Sequence, residues 1–258
     1  MDMLNAFRLT RRNLAVNTDP GTLVFLLLMP TMYLVFMGYM YGSLITNISV
    51  SSHAINYISF LAPGIISFQA LTAGSVAGSM LWSDRRYGMF EQILSGPYTR
   101  AEYLMGIIIT TMALSIFGAL FMLFLSFILR ATISLSLMTI LSIIVSLVFG
   151  SLFWGSLMLA LAAKSKSNQM YNSIQILILF FASFASTVFY PLSSAIPLAL
   201  RYTAIANPLT YLSDSIRFAY VGHFGVSFVL DEAVLLIETI VMFLIALLFY
   251  RNVRVGVR

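Results

Sequence analysis

Ser83-Asp84-Arg85-Arg86-Tyr87-Gly88-Met89-Phe90-Glu91-Gln92-Ile93-Leu94-Ser95-Gly96-Pro97 is a short charged stretch set between two long apolar runs. Ser83 or Asp84 can cap a helix start, and Gly96 followed by Pro97 can stop it. The stretch therefore predicts a helix over 84–95, about twelve residues and roughly 18 Å long. It is too short and too polar to span a bilayer. Tyr87, Phe90 and Leu94 fall on one face at i, i+3 and i+7, with Arg85 and Glu91 pointing elsewhere. Such a helix lies at a surface and touches a neighbour; an ordinary interfacial loop helix has the same spacing.

The flanking runs set the class. With 60% apolar residues, 9% charged residues and a mean hydropathy of +0.96, the chain lies far from soluble domains, in which about a quarter of residues are charged. The apolar character is continuous rather than alternating, so helical spans are expected and barrel strands are not. This predicts an all-α polytopic membrane protein with six transmembrane helices in a single domain, 1–258. There is no cysteine, so redox compartment cannot be read.

In chain order, 1–19 reads as an imperfect interfacial helix rather than a signal peptide. Leu4, Phe7 and Leu14 share one side, and Arg11 falls inside that stripe and must snorkel. Spans are expected at 22–45, 57–82, 101–129, 135–163, 170–189 and 233–250. The polar stretch 46–56 reads as a loop, and Arg130 sits in a tight turn. Region 190–222 breaks the pattern with Pro191, Pro197 and Pro208, and Asn207-Pro208 is a strong helix start. Leu209, Leu212, Ile216 and Ala219 make one apolar face, Asp214 and Arg217 can pair at i, i+3, and Gly222 can end the helix. The expectation is a re-entrant or surface helical hairpin on the extracellular side, not a span.

Basic residues orient the chain. Arg8, Arg11 and Arg12, then Arg85, Arg86 and Arg100, then Lys164 and Lys166, then Arg251, Arg254 and Arg258 fall on one side of six spans; Arg130, Arg201 and Arg217 fall on the other. Both termini are therefore expected in the cytoplasm, in a multi-pass cell-membrane protein. Topology and anionic headgroups account for the net charge of +5, and no nucleic-acid partner is expected.

The motifs of catalysis are missing. No G-x-x-x-x-G-K-[ST] loop and no His/Cys cluster is present, and His53 and His223 are isolated, so no catalytic, cofactor or metal residue is assigned. Glu238 is the acid placed well inside a span, which makes it a transport candidate or simply a protonated or vestibule-solvated group. Ala70, Gly74 and Gly78 recur every four residues and allow close helix approach, with Thr72, Ser75 and Ser79 as a neighbouring polar stripe. Asn168, Asn172 and Gln175 share a face. Packing seams and interhelical hydrogen bonds explain both stripes; the sharper reading makes them the border of a substrate path between subunits, suited to apolar or amphipathic cargo among many Phe and Met side chains.

Arg86-Tyr-Gly88-Met-Phe-Glu91-Gln-Ile-Leu94-Ser-Gly-Pro97-Tyr-Thr-Arg100, the earlier Leu61-Ala-Pro63-Gly64, and the late Tyr190-Pro191, Ile196-Pro197 and Asn207-Pro208-Leu209-Thr210-Tyr211 with Asp214 and Arg217 resemble the permease subunit of the type-2 ABC exporter family. The resemblance implies a cytoplasmic coupling helix between spans two and three, a second permease copy or paralogue, and two cytoplasmic ABC ATPase subunits holding ATP and magnesium. Arg86, Tyr87, Phe90, Glu91 and Leu94 would then contact the ATPase, Phe90 as an apolar knob and Glu91 through charge to the ATPase or the amino-terminal helix. Cargo in the family includes drugs, lipids and lipid-linked polysaccharides; a hydrophobic drug-like or lipid cargo is favoured, with polysaccharide export the alternative. An ion-coupled secondary transporter would call for inverted repeats and midplane acids, and neither is found.

Overall fold

The computed structural model describes residues 3–45, 48–50, 53–134, 136–192 and 196–251. The described chain is predominantly helical. Helix α1 (Met3–Asn17) is followed by α2 (Pro20–Met32), which runs through a π-helical turn (Tyr33–Met37) into α3 (Gly38–Gly42). Two short strands, β1 (Ile48–Val50) and β2 (His53–Ile55), pair antiparallel where a loop is expected. Then come α4 (Tyr57–Arg86), α5 (Met89–Ser95), α6 (Arg100–Ile128), α7 (Leu137–Lys164), α8 (Asn168–Phe184), α9 (Leu198–Ile205), α10 (Pro208–Val221) and α11 (Val226–Arg251).

Among the described residues, five helices are long and apolar enough to cross a bilayer: Pro20–Gly42, Tyr57–Arg86, Arg100–Ile128, Leu137–Lys164 and Val226–Tyr250. The expected fifth span, 170–189, is only partly helical. Helix α8 has 17 residues, at the lower limit for a crossing. It stops at Phe184 because the Asn207 amide donates to the carbonyls of Ala182 at 2.8 Å and Ala185 at 2.9 Å, taking the acceptors that a further turn would use. The same side chain accepts from Leu209 N at 3.0 Å and caps α10. Residues 185–190 then fold inward, with Val188 fully buried.

Helix α4 is the axle of the fold, enclosed along its whole apolar stretch by α6, α7, α8 and α10. Its small residues explain how. A methyl group at Gly74 would stand 2.6 Å from Trp154 Cβ, and one at Gly78 would stand 2.4 Å from the Tyr171 hydroxyl. The Gly74/Gly78 seam is thus a packing surface for α7 and α8. Helix α10 is interior rather than superficial: Leu209, Leu212, Ile216 and Ala219 are all fully buried. Gly222, in the left-handed conformation, ends α10 as expected.

Two further expected boundaries also move. The helix expected over 84–95 is divided: α4 continues through Arg86, Gly88 adopts a left-handed φ of 70°, and α5 starts at Met89. Asp84 is therefore no cap; its carboxylate is engaged from outside α4. The last span, expected at 233–250, starts seven residues earlier at Val226. Its early turns can hold Glu232 because Ser146 and Ser215 donate hydroxyls to that carboxylate. Arg254 and Arg258 lie outside the described residues.

Candidate functional site

Two neighbouring features share the charged end of α4. The first is a joint of side chains from four distant parts of the chain. Arg12 of α1 makes a two-pronged contact with Asp84, its Nη1 donating to Asp84 Oδ2 at 2.9 Å. The same Oδ2 accepts from the Tyr103 hydroxyl of α6 at 2.9 Å. Tyr103 stacks on Tyr250 of α11 with centroids 6.3 Å apart, and Phe90 of α5 meets Tyr103 edge-on at 5.2 Å. Hydrogen bonding to Asp84 holds the Arg12 guanidinium above its ordinary pKa, so Arg12 keeps its positive charge at the joint.

Phe90 is fully buried in this aromatic cluster, which corrects its assignment as an outward knob. Inside a seven-residue helix that must hold to the bundle, the largest apolar side chain turns inward. Tyr87, 70% exposed, lies in the link rather than on the helix, so it does not share a face with Phe90 and Leu94 as the sequence spacing predicts. Arg86 is exposed with its guanidinium 5.8 Å from the Tyr87 ring, and Glu91 and Leu94 are half-buried. Glu91 is close enough to Arg85 to interact electrostatically with it.

The second feature is a groove. Asn17, Asp19, Gly21, Thr22 and Phe25 form one wall, Ser75, Val76 and Ser79 of α4 form the floor, and Asn172, Gln175, Ile176 and Leu179 of α8 form the other wall, around about 560 Å³. A second, more aromatic cavity of about 400 Å³ shares Phe25, Ile176 and Leu179 with it and adds Met29, Tyr33, Phe68, Thr72, Phe180 and Ser183. The polar stripe of α4 and the amide face of α8 thus meet within one chain, at Ser75 and Ser79 and at Asn172 and Gln175. Asn168 does not line the groove. The hydroxyls of Thr72, Ser75 and Ser79 donate to carbonyls of their own helix, so the floor is polar but internally satisfied.

A smaller cavity of about 230 Å³, lined by Arg12, Asn13, Val16, Asn17, Ser79, Met80, Ser83 and Asp84, joins the two features. It shares Asn17 and Ser79 with the groove. Residues 6–221 match the sequence profile of the ABC-2 type transporters. The chain belongs to the ABC-2 type transporter family. No curated protein matches it. As an ABC-2 protein it is a multi-pass membrane transport component and not a catalyst, of a family whose members normally pair with an ABC ATPase.

Glu238 stands apart from the groove. Helix α11 packs on α7 and α10, and Glu238 faces the neighbourhood of Tyr211. Two acids of the same helix, Asp231 and Glu232, fall outside the span expected from sequence, which begins after them at 233. A buried node around Arg217 is also larger than its i, i+3 signal. Arg217 contacts Asp214, donates to Phe60 O at 3.2 Å and Thr187 O at 2.9 Å, and lies 3.9 Å over the Phe60 ring. Short-range spacing predicts the ion pair; the carbonyl partners come from 30 and 157 residues away and leave no local trace.

Proposed function

We propose that this ABC-2 protein is the permease of an ATP-driven exporter that moves a hydrophobic or amphipathic, drug-like or lipid molecule out of the cytoplasm by alternating access. In this reading α8 with its inward turn is the fifth of six crossings and α11 the sixth, both termini are cytoplasmic, α5 is the coupling helix and α9–α10 form the re-entrant hairpin. The assembly holds two permeases, whether copies or paralogues, and two ATPase subunits that bind ATP and magnesium.

The observation that carries this reading is the shared wall between joint and groove. Asp84 lies five residues beyond Ser79 on one helix, about 7.5 Å of rise. A push on α5 reaches Asp84 and α1 through Phe90 and Tyr103, and α1 continues into the groove wall at Asn17. Arg86, Tyr87, Glu91 and Leu94 are the proposed contacts to the ATPase, with Phe90 transmitting from within. The groove has a polar end at Asn17, Asp19, Ser79, Asn172 and Gln175 and an aromatic end at Tyr33, Phe68 and Phe180. That gradient suits a cargo with a headgroup and an apolar body. A transport role for Glu238 requires a second site on the α11 side.

The test is reconstitution with the co-purifying ATPase and a screen of amphipathic compounds and lipids for stimulated ATP hydrolysis. Stimulation that disappears in Asn172→Leu with Gln175→Leu, while basal hydrolysis remains, is the expected outcome. Stimulation that survives those changes removes the groove as the path.

A further inference from the structure

One face of α1 is turned away from the bundle. Ala6, Leu9, Thr10 and Asn13 are buried, with Leu9 packed so closely on Gly106 that a methyl group there would stand 2.8 Å from Leu9 Cβ. The opposite face exposes Met3, Leu4 and Phe7 together with Arg8 and Arg11. These form two adjoining i, i+4 rows, Met3-Phe7-Arg11 and Leu4-Arg8, so large apolar side chains fill the first turn and guanidinium groups the next. Arg8 and Arg11 take part in no ion pair among the described residues, while Arg12 is turned the other way onto Asp84. No acid lies on the described part of α1.

An exposed apolar strip beside unpaired arginines on a helix attached to membrane spans matches a leaflet of anionic phospholipid. Neutral lipid would accept the apolar strip but leave both guanidiniums without counter-charge. We infer that α1 is an anionic-lipid contact, and that headgroups bound at Arg8 and Arg11 seat the helix so that Arg12 holds Asp84 and, through Tyr103, the coupling helix α5. The occupant is the phospholipid leaflet. The surface requires that the chain sits in a membrane, and it requires neither a particular cargo nor an ATPase.

The chain has no cysteine, so a solvatochromic dye on Ala15→Cys, an exposed position beside this face, reports α1 alone. Purified permease is placed in vesicles of phosphatidylcholine, or of phosphatidylcholine with about a third phosphatidylglycerol. The expected result is blue-shifted emission in the anionic vesicles, reversed by salt. The inserted-to-released ratio falls about five-fold for each arginine removed in Arg8→Gln and Arg11→Gln, and is kept in Arg8→Lys with Arg11→Lys. Amide exchange over Met89–Ser95 slows in anionic vesicles for the wild type; in Arg12→Gln the dye still responds but α5 no longer does. Equal emission in the two lipids, or an unchanged response in the glutamine pair, overturns the lipid contact. A dye response with no change at α5 in the wild type overturns its transmission. If inorganic phosphate added to neutral vesicles reproduces the shift, the leaflet is not the partner. All of these readouts are independent of whether an ATPase co-purifies, so their failure is distinct from failure of the exporter reading.

Discussion

Two ion pairs, Arg12–Asp84 and Arg217–Asp214, make a useful contrast. Arg12–Asp84 joins residues 72 apart in sequence across two helices, and its side chains are 27% and 11% exposed. Arg217–Asp214 lies within one helix; Asp214 is 27% exposed, but Arg217 is only 4% exposed and also donates to the Phe60 and Thr187 carbonyls. The first can part and re-form as α1 moves, because water can reach it. The second is tied down by the carbonyls that Arg217 also holds, which fixes α10 against α4 and against the turn after α8. Joint and anchor sit on opposite ends of α4, and the same residue chemistry serves both because burial differs.

The contrast breaks most clearly at the anchor. Arg217→Met leaves Asp214 without its counter-charge and takes the guanidinium donors away from the Phe60 and Thr187 carbonyls, and is expected to cost about 3 kcal/mol in denaturant unfolding in mixed micelles. A cost near that of an ordinary surface change would mean that the anchor is not fixed. Gly78→Ala comes next, at about 2 kcal/mol, because the added methyl collides with Tyr171, whose hydroxyl is held by the Ser75 carbonyl at 2.7 Å. At the joint, Arg12→Gln is expected to cost about 1 kcal/mol in the same unfolding measurement, since its partner is reached by solvent. Its transport rate should nevertheless fall much further than its stability. Equal losses of stability and rate would make the joint structural only. Asn172→Leu sharpens the other side of the comparison: stability should change by less than about 0.5 kcal/mol while cargo stimulation drops.

How much of this was legible from sequence depends on the range of the interaction. Helix identity, the Asn207 start, the Gly222 stop and the Asp214/Arg217 pair are local and were readable. The Gly74/Gly78 stripe was readable as a close-approach surface, and the structure supplies Trp154 and Tyr171 as its occupants. The division of 84–95 was not readable, because a left-handed Gly88 and a helix-stopping glycine look alike in sequence and Asp84 had an obvious local use as a cap. What outcompeted that use was Arg12, from 72 residues away. The early end of α8 has the same cause: Asn207 reaches back 25 residues to Ala182. The meeting of Ser75 and Ser79 with Asn172 and Gln175 followed from two stripes, each visible, whose mutual orientation only the packed helices determine.

Gly88 carries a consequence of its own. A methyl group built there meets nothing within 4 Å, so space does not exclude a side chain; the sign of φ does. The position is therefore selective for chirality rather than size. A mirror-image alanine introduced by chemical ligation should be accepted where the natural alanine strains the link, and the two epimers would separate the stiffness of the hinge from its bulk.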